Sequence, residues 1–317
     1  MTIHEDLGNG ISVIDTGLVA DDVVACYLIK ENDQAAIIET GNYLTCERIL
    51  QTLSDKNLTP DQVQYVIVTH IHLDHAGGAS HLMAACPNAT LVVHPSGAKH
   101  MINPEKLIAA STQVYGEARF AEMYGTITPI NSQRVRTMED GEILPFGQRN
   151  LEFMYTPGHA YHHFCIWDDV DQSWFTGDTF GLCYKPLKLT PKPLLIPTTT
   201  PTQFDPEALK ASISKLLARS PKRMLLTHHG ELPASDRHGL ESWLHNQIDD
   251  YVDLTIKQAP SCSDHHGLAD ILMSYYEELI ATEALDISLE EARSVLRMDL
   301  ELNAQGLWYW YQKYHAV

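Results

Sequence analysis

Through the first 95 residues, short apolar runs rich in Val, Ile and Leu alternate with stretches of helical spacing. Residues 11–14, 23–29, 35–39, 63–69 and 90–94 read as strands, and 44–53 and 76–85 as helices. Residues 96–125 read as helix or loop. A second strand-rich stretch follows at 135–137, 143–144, 151–155, 164–167 and 174–176. Five prolines between Lys185 and Thr202 dictate a loop there, because each removes a helix hydrogen bond and clashes with the preceding turn. Asp205 then caps a helix with Pro206 at its first position and Leu209, Ile213, Leu216 and Leu217 on one face. Residues 222–227 return as a strand. After about residue 236 the pattern turns helical, at 240–256, 268–281 and 288–311, the last opening with Ser288 and Glu291 as a capping box. The expected class is α/β with a helical appendage.

Composition narrows the function. Of 317 residues, 44% are hydrophobic and 20% charged, an ordinary globular balance. The net charge of −19 opposes polyphosphate partners, so no nucleic acid is expected. Residues 241–317 hold 14 acidic and 4 basic side chains, which makes the appendage acidic. Residues 1–10 are polar and acidic rather than a basic-then-apolar leader, and no apolar run approaches a membrane span. The six cysteines form no C-x-x-C pair and read as buried free thiols. A cytoplasmic setting without a membrane partner is expected. The Trp308-Tyr309-Trp310-Tyr311 run suits docking onto the core or onto a homodimer partner.

Of the 17 histidines, a handful have meaningful positions. The strand at 63–69 runs straight into His70-Ile71-His72-Leu73-Asp74-His75, and Gly77-Gly78 opens a helix. Residues two apart share a side of a strand, so His70 and His72 converge. Four ligand-type side chains at the carboxyl end of a strand stand where sites lie in open α/β sheets. At this chain's own frequencies, H-x-H-x-D-H arises by chance about 0.003 times. Three later strand ends offer ligand types in the same way: Thr156-Pro157-Gly158-His159, Gly177-Asp178, and Thr227-His228-His229-Gly230.

These motifs, with Glu39-Thr40-Gly41 as an early strand-end turn, resemble the metallo-β-lactamase superfamily over about residues 10–235, in its glyoxalase II-like and lactonase-like branch. The family more often has Asp where Glu39 stands. The resemblance implies a four-layer αββα sandwich, with a catalytic domain at 1–240 and an acidic helical extension at 241–317. It implies two divalent metal ions, zinc first and iron or manganese as alternatives. His70, His72 and His159 would hold one ion, and Asp74, His75 and His228 the other. Asp178 would bridge both, and His229 competes with His228 for the last place. His163 would orient a ligand or pack in the sheet.

With Asp74 and Asp178 as catalytic carboxylates, a metal-bridged hydroxide would cleave a small ester, lactone or thioester. A phosphodiesterase, a mononuclear-iron persulfide oxidation and a non-catalytic ligand sensor are the other readings. Residues 96–128 and 185–202 would wall the pocket, with Tyr184 either reaching substrate or packing.

Overall fold

The computed structural model describes residues 3–189 and 191–316. The chain divides into two compact units interleaved along the sequence. The first takes in residues up to 155, 162–177 and 222–233; the second takes in 156–161, 178–221 and everything from 234 onward.

Among its described residues the first unit holds two sheets. One runs in spatial order β1 (His4–Gly8), β2 (Ile11–Asp15), β3 (Ala25–Glu31), β4 (Gln34–Ile38), β5 (Val63–Ile67), β6 (Thr90–Val93) and β7 (Val135–Thr137). The pairs from β1 to β4 are antiparallel hairpins, and those from β4 to β7 are parallel. Parallel neighbours need a long crossover. Helix α1 (Thr45–Asp55) supplies the first; α2 (Leu73–Ala76) and α3 (Ala79–Ala85) supply the second. The third contains α4 (Pro95–Ile102), α5 (Glu105–Tyr115) and α6 (Glu117–Tyr124), so residues 96–125 are mostly helical.

The other sheet comprises β8 (Ile143–Phe146), β9 (Arg149–Tyr155), β10 (Phe164–Asp168), β11 (Ser173–Phe175), β12 (Arg223–Leu226) and β13 (Gly230–Pro233). Its pairs are antiparallel except β11 with β12.

Side chains alternate across a strand, and β4 shows what this does. Ile37 joins a cluster with Ile49, Leu53, Val66, Leu82 and Leu91, between the sheet and its helices. Ile38 faces the opposite way, into a cluster with Tyr27, Phe153, Phe164, Phe175 and Leu225 from the two sheets. The first sheet is therefore covered on both faces, which is why β3 and β4 read as continuous apolar runs.

The second unit contains α7 (Pro206–Ala218), α8 (Arg237–Gln258), α9 (His265–Thr282) and α10 (Leu289–Tyr314). The Asp205 side chain accepts from Ala208 N at 3.0 Å, so that cap forms as expected, and Ser288 Oγ accepts from Glu291 N at 3.2 Å, which is the serine half of the expected capping box. The proline-rich segment carries one short 3-10 turn at Lys185–Leu187 and an isolated bridge between Leu182 and Ile196. Tyr184 donates to Asp299 at 2.9 Å in a buried pair, which realises the packing alternative for that residue. Trp310 is buried, whereas Tyr309 is exposed. All six cysteines are free. No helix among the described residues is long and apolar enough to cross a membrane.

Two strands lie outside the sequence expectation, β1 and β13. Each is the edge of its sheet and pairs on one side only, so neither needs an apolar pattern on both faces.

Candidate metal centre

In the first unit, β5 ends at Ile67, and residues 68–72 lead from it into the single turn of α2. His70 is fully buried, and its Nε2 lies 2.8 Å from His72 Nδ1. The Thr69 hydroxyl donates its one proton to Glu39 Oε1. It must therefore accept from His70 Nδ1, 3.1 Å away, which leaves the ring's lone pair on Nε2. Glu39 also accepts from Thr69 N at 3.3 Å and lies 3.2 Å from His75 Nδ1. Through Thr69 this buried carboxylate orients His70, and it stands beside His75. A carboxylate behind an imidazole in this way fixes its tautomer and makes the far nitrogen a better ligand.

The far nitrogen of His75 lies 3.4 Å from Asp74 Oδ2, and the same oxygen lies 3.4 Å from His228 Nε2. Burial alone would push the Asp74 carboxyl up, but the His75 and His228 rings beside it hold it well below the usual carboxylate range. His229 turns elsewhere, with Nε2 3.7 Å from Asp22 Oδ1. Thr227, one residue before His228, is tied to the other sheet by a 2.7 Å bond from Ala25 N to its carbonyl.

His163 is buried with its ring 4.8 Å from that of His70. Beside it stands Gly177, at φ +48°, where a Cβ would come within 2.5 Å of both His163 Nε2 and Thr69 Oγ1. His162, which the sequence reading passed over, stacks on His70 at 6.1 Å and meets His72 edge-on at 5.5 Å. Its one sequence signal is its place in the His159-x-x-His162-His163 run.

The second unit carries the remaining two expected ligands. Gly158 (φ +129°) presses against α7, where a Cβ would meet Leu209 Cα at 2.3 Å. Ser212 Oγ on α7 donates to Pro157 O at 2.7 Å, and Asp205 N to Gly158 O at 2.9 Å. The two residues before His159 are thus tied to α7 and to the residue that caps it. Its Nε2 lies 3.3 Å from Asp178 Oδ2, and both residues are buried.

The donor set suits a divalent ion. Asp74, His75 and His228 offer ligand atoms that all lie within 4.8 Å of one another. Ligands about 2.0–2.2 Å from a tetrahedral ion stand roughly 3.3–3.5 Å from each other. The 3.4 Å separations around Asp74 and the 3.3 Å separation of His159 from Asp178 match that edge. Imidazole nitrogens with carboxylate oxygens, and no thiolate, suit zinc, iron or manganese alike.

A family model for the Metallo-beta-lactamase superfamily matches residues 19–229. The metallo-beta-lactamase fold-containing protein ST1585 of Sulfurisphaera tokodaii is 29% identical over 175 residues, covering 54% of this chain and 62% of that protein. Human acyl-coenzyme A thioesterase MBLAC2 is 24% identical over 194 residues, covering 55% of this chain and 65% of that protein. The chain thus spans less than two thirds of either relative's length. Among solved structures, the metallo-beta-lactamase family protein TTHA1429 from Thermus thermophilus has a TM-score of 0.68 at 16% identity, over 97% of this chain and 95% of its own. The fold is the metallo-β-lactamase αββα sandwich with added C-terminal helices, and the chain belongs to the metallo-β-lactamase superfamily.

Proposed function

We propose that this protein is a metal-dependent hydrolase of a small carboxylic ester, lactone or thioester. Two divalent ions, zinc first, would be held by His70, His72 and His159 and by Asp74, His75 and His228, with Asp178 shared. The observation that carries the reading is the Asp74–His75–His228 cluster, a carboxylate oxygen 3.4 Å from each of two imidazole nitrogens. Support for Asp178 comes from its Oδ2, which lies 3.3 Å from His159 Nε2 with both residues buried. The same functional division keeps 1–240 as the catalytic region and 241–317 as an extension.

When bound, such ions acidify water toward neutrality and polarise a carbonyl or phosphoryl oxygen. The chain's own part is positional. Glu39, acting through Thr69, keeps the Nε2 atom of His70 available as a ligand. Asp74, beside His75 and His228, would help hold one ion and orient water toward an acyl carbon. A small, weakly charged acyl substrate approaches a molecule of net charge −19 more readily than a long polyanion does. The thioesterase name of the MBLAC2 relative favours the acyl class. A cytoplasmic location fits such metabolite chemistry.

The test is kcat/KM across aryl esters, acyl-homoserine-type lactones, glutathione and acyl-CoA thioesters, bis-aryl phosphates and a β-lactam, with metal content measured in parallel. We expect an acyl substrate to lead, about two equivalents of metal, and loss of turnover and metal in Asp178→Ala. A phosphodiester turned over more than tenfold better than every acyl substrate would overturn the substrate class. A single equivalent of iron as the sole active metal would overturn the dinuclear centre.

A further inference from the structure

Thr198 lies in the proline-rich segment of the second unit and is buried. Its Oγ1 is 2.8 Å from the backbone oxygen of Asp178 and 3.1 Å from His159 Nδ1. A hydroxyl has one proton, and a carbonyl oxygen can only accept. The proton therefore goes to Asp178 O, and the ring nitrogen must donate to Thr198. That places hydrogen on Nδ1 of His159 and the lone pair on Nε2, which faces Asp178 Oδ2 at 3.3 Å. Two acceptors facing each other at that distance are satisfied by a shared cation. In the first unit, Thr69 does the same for His70, passing its proton to Glu39 and accepting from Nδ1.

Thr198 is itself held from the C-terminal helices. Asn303 on α10 accepts from Thr199 N through Oδ1 at 2.8 Å and donates from Nδ2 to Pro197 O at 3.0 Å. These bonds flank Thr198 on both sides. The Asn303 backbone oxygen adds a third, from Thr199 Oγ1 at 2.9 Å. Asn303 Nδ2 also meets Tyr251 OH at 3.2 Å, and Tyr251 OH lies 2.5 Å from Tyr276 OH, which donates to Gln247 at 2.9 Å. A buried polar chain thus crosses α8, α9 and α10 and ends on the two peptide groups beside Thr198. Fully satisfied buried networks of this kind are rigid.

We propose that Thr198 is a positioning residue that fixes the Nδ1–H tautomer of His159, so that Nε2 is the ligand atom, and that Asn303 holds Thr198 in the register this requires. The proposal rests on His159 and Asp178 being metal ligands, and it makes the helical extension part of the metal centre rather than a separate appendage.

Long-range ring 15N–1H correlation on the full-length, histidine-labelled, metal-stripped protein reads the tautomer, with His159→Gln assigning the signal. The Nδ1–H form is expected in the wild type. Thr198→Val should shift the ring toward Nε2–H and weaken zinc affinity by about tenfold to a hundredfold, measured by chelator competition. Thr198→Ser should restore both. Asn303→Ala should act in the same direction with a smaller loss. Thr199→Val, which removes a single bond to α10, serves as the milder variant should Asn303→Ala disturb the helices by circular dichroism.

An Nε2–H wild-type ring, or a Thr198→Val protein with unchanged tautomer and affinity, would overturn the proposal, as would a serine variant no better than the valine one. Unchanged tautomer and affinity in both Asn303→Ala and Thr199→Val would remove the part assigned to α10. Full zinc content in His159→Gln would instead remove His159 from the ligand set on which the proposal rests, whatever the tautomer.

Discussion

Replacing Gly177 by alanine tests how tightly the end of β11 is built against the histidine cluster. Gly177 sits at φ +48°, where an L side chain costs about 1–2 kcal/mol. The new Cβ would also lie 2.5 Å from both Thr69 Oγ1 and His163 Nε2. Neither can swing away cheaply, because Thr69 is bonded to Glu39 and His70, and His163 is buried. Overpacking of this sort adds about 1–3 kcal/mol, so the total cost is about 2–5 kcal/mol. Gly141 provides the control. Its φ is +75°, but nothing lies within 4 Å of its Cβ position, so Gly141→Ala should carry the backbone cost alone. Urea unfolding followed by tryptophan fluorescence compares the two, since Trp167 and Trp174 are buried in the same unit. Gly177→Ala should be the less stable by about 1–3 kcal/mol and should also bind metal more weakly, because Thr69 orients His70. Equal stability of the two variants would refute the packing argument, and unchanged metal affinity would refute the link through Thr69.

Away from the site, Asp171 receives Arg223 through two bonds of 2.9 and 2.7 Å, and Asn9 at 2.8 Å. Burial alone would raise its carboxyl, but the bonds from Arg223 and Asn9 outweigh this and hold it below the usual value. The stabilisation is therefore complete above about pH 4 and is lost as pH falls through the lowered native value. Asp171→Asn should cost about 3 kcal/mol at neutral pH and flatten the acid limb of the stability curve; an unaltered acid limb would contradict this. Between the adjacent histidines, His228→Ala should lose one equivalent of metal by elemental analysis and His229→Ala none, since His229 faces Asp22. The reverse result would exchange their roles.

What the sequence determined by itself is local. The His70–His75 run, the glycine turns after successive strands and the Asp205-Pro206 helix start are set by neighbours within a few residues, where steric and hydrogen-bonding preferences act directly. The alternation of apolar runs with helical stretches likewise announced two strand-rich halves and a helical end. Other features were settled by contacts between residues far apart in the chain. The edge strands β1 and β13 exist because a partner strand offers a free edge, not because their own residues demand pairing. His228 rather than His229 joins Asp74 because residue 228 lies on the Asp74 side of the turn after β12. The hydroxyls that set the histidine tautomers depend on Glu39 meeting Thr69 across 30 residues and Thr198 meeting His159 across 39. Threonine is common in loops and carries no signature of such a role. It acquires one only when the packed chain puts an acceptor-only oxygen on one side of the hydroxyl and an imidazole on the other.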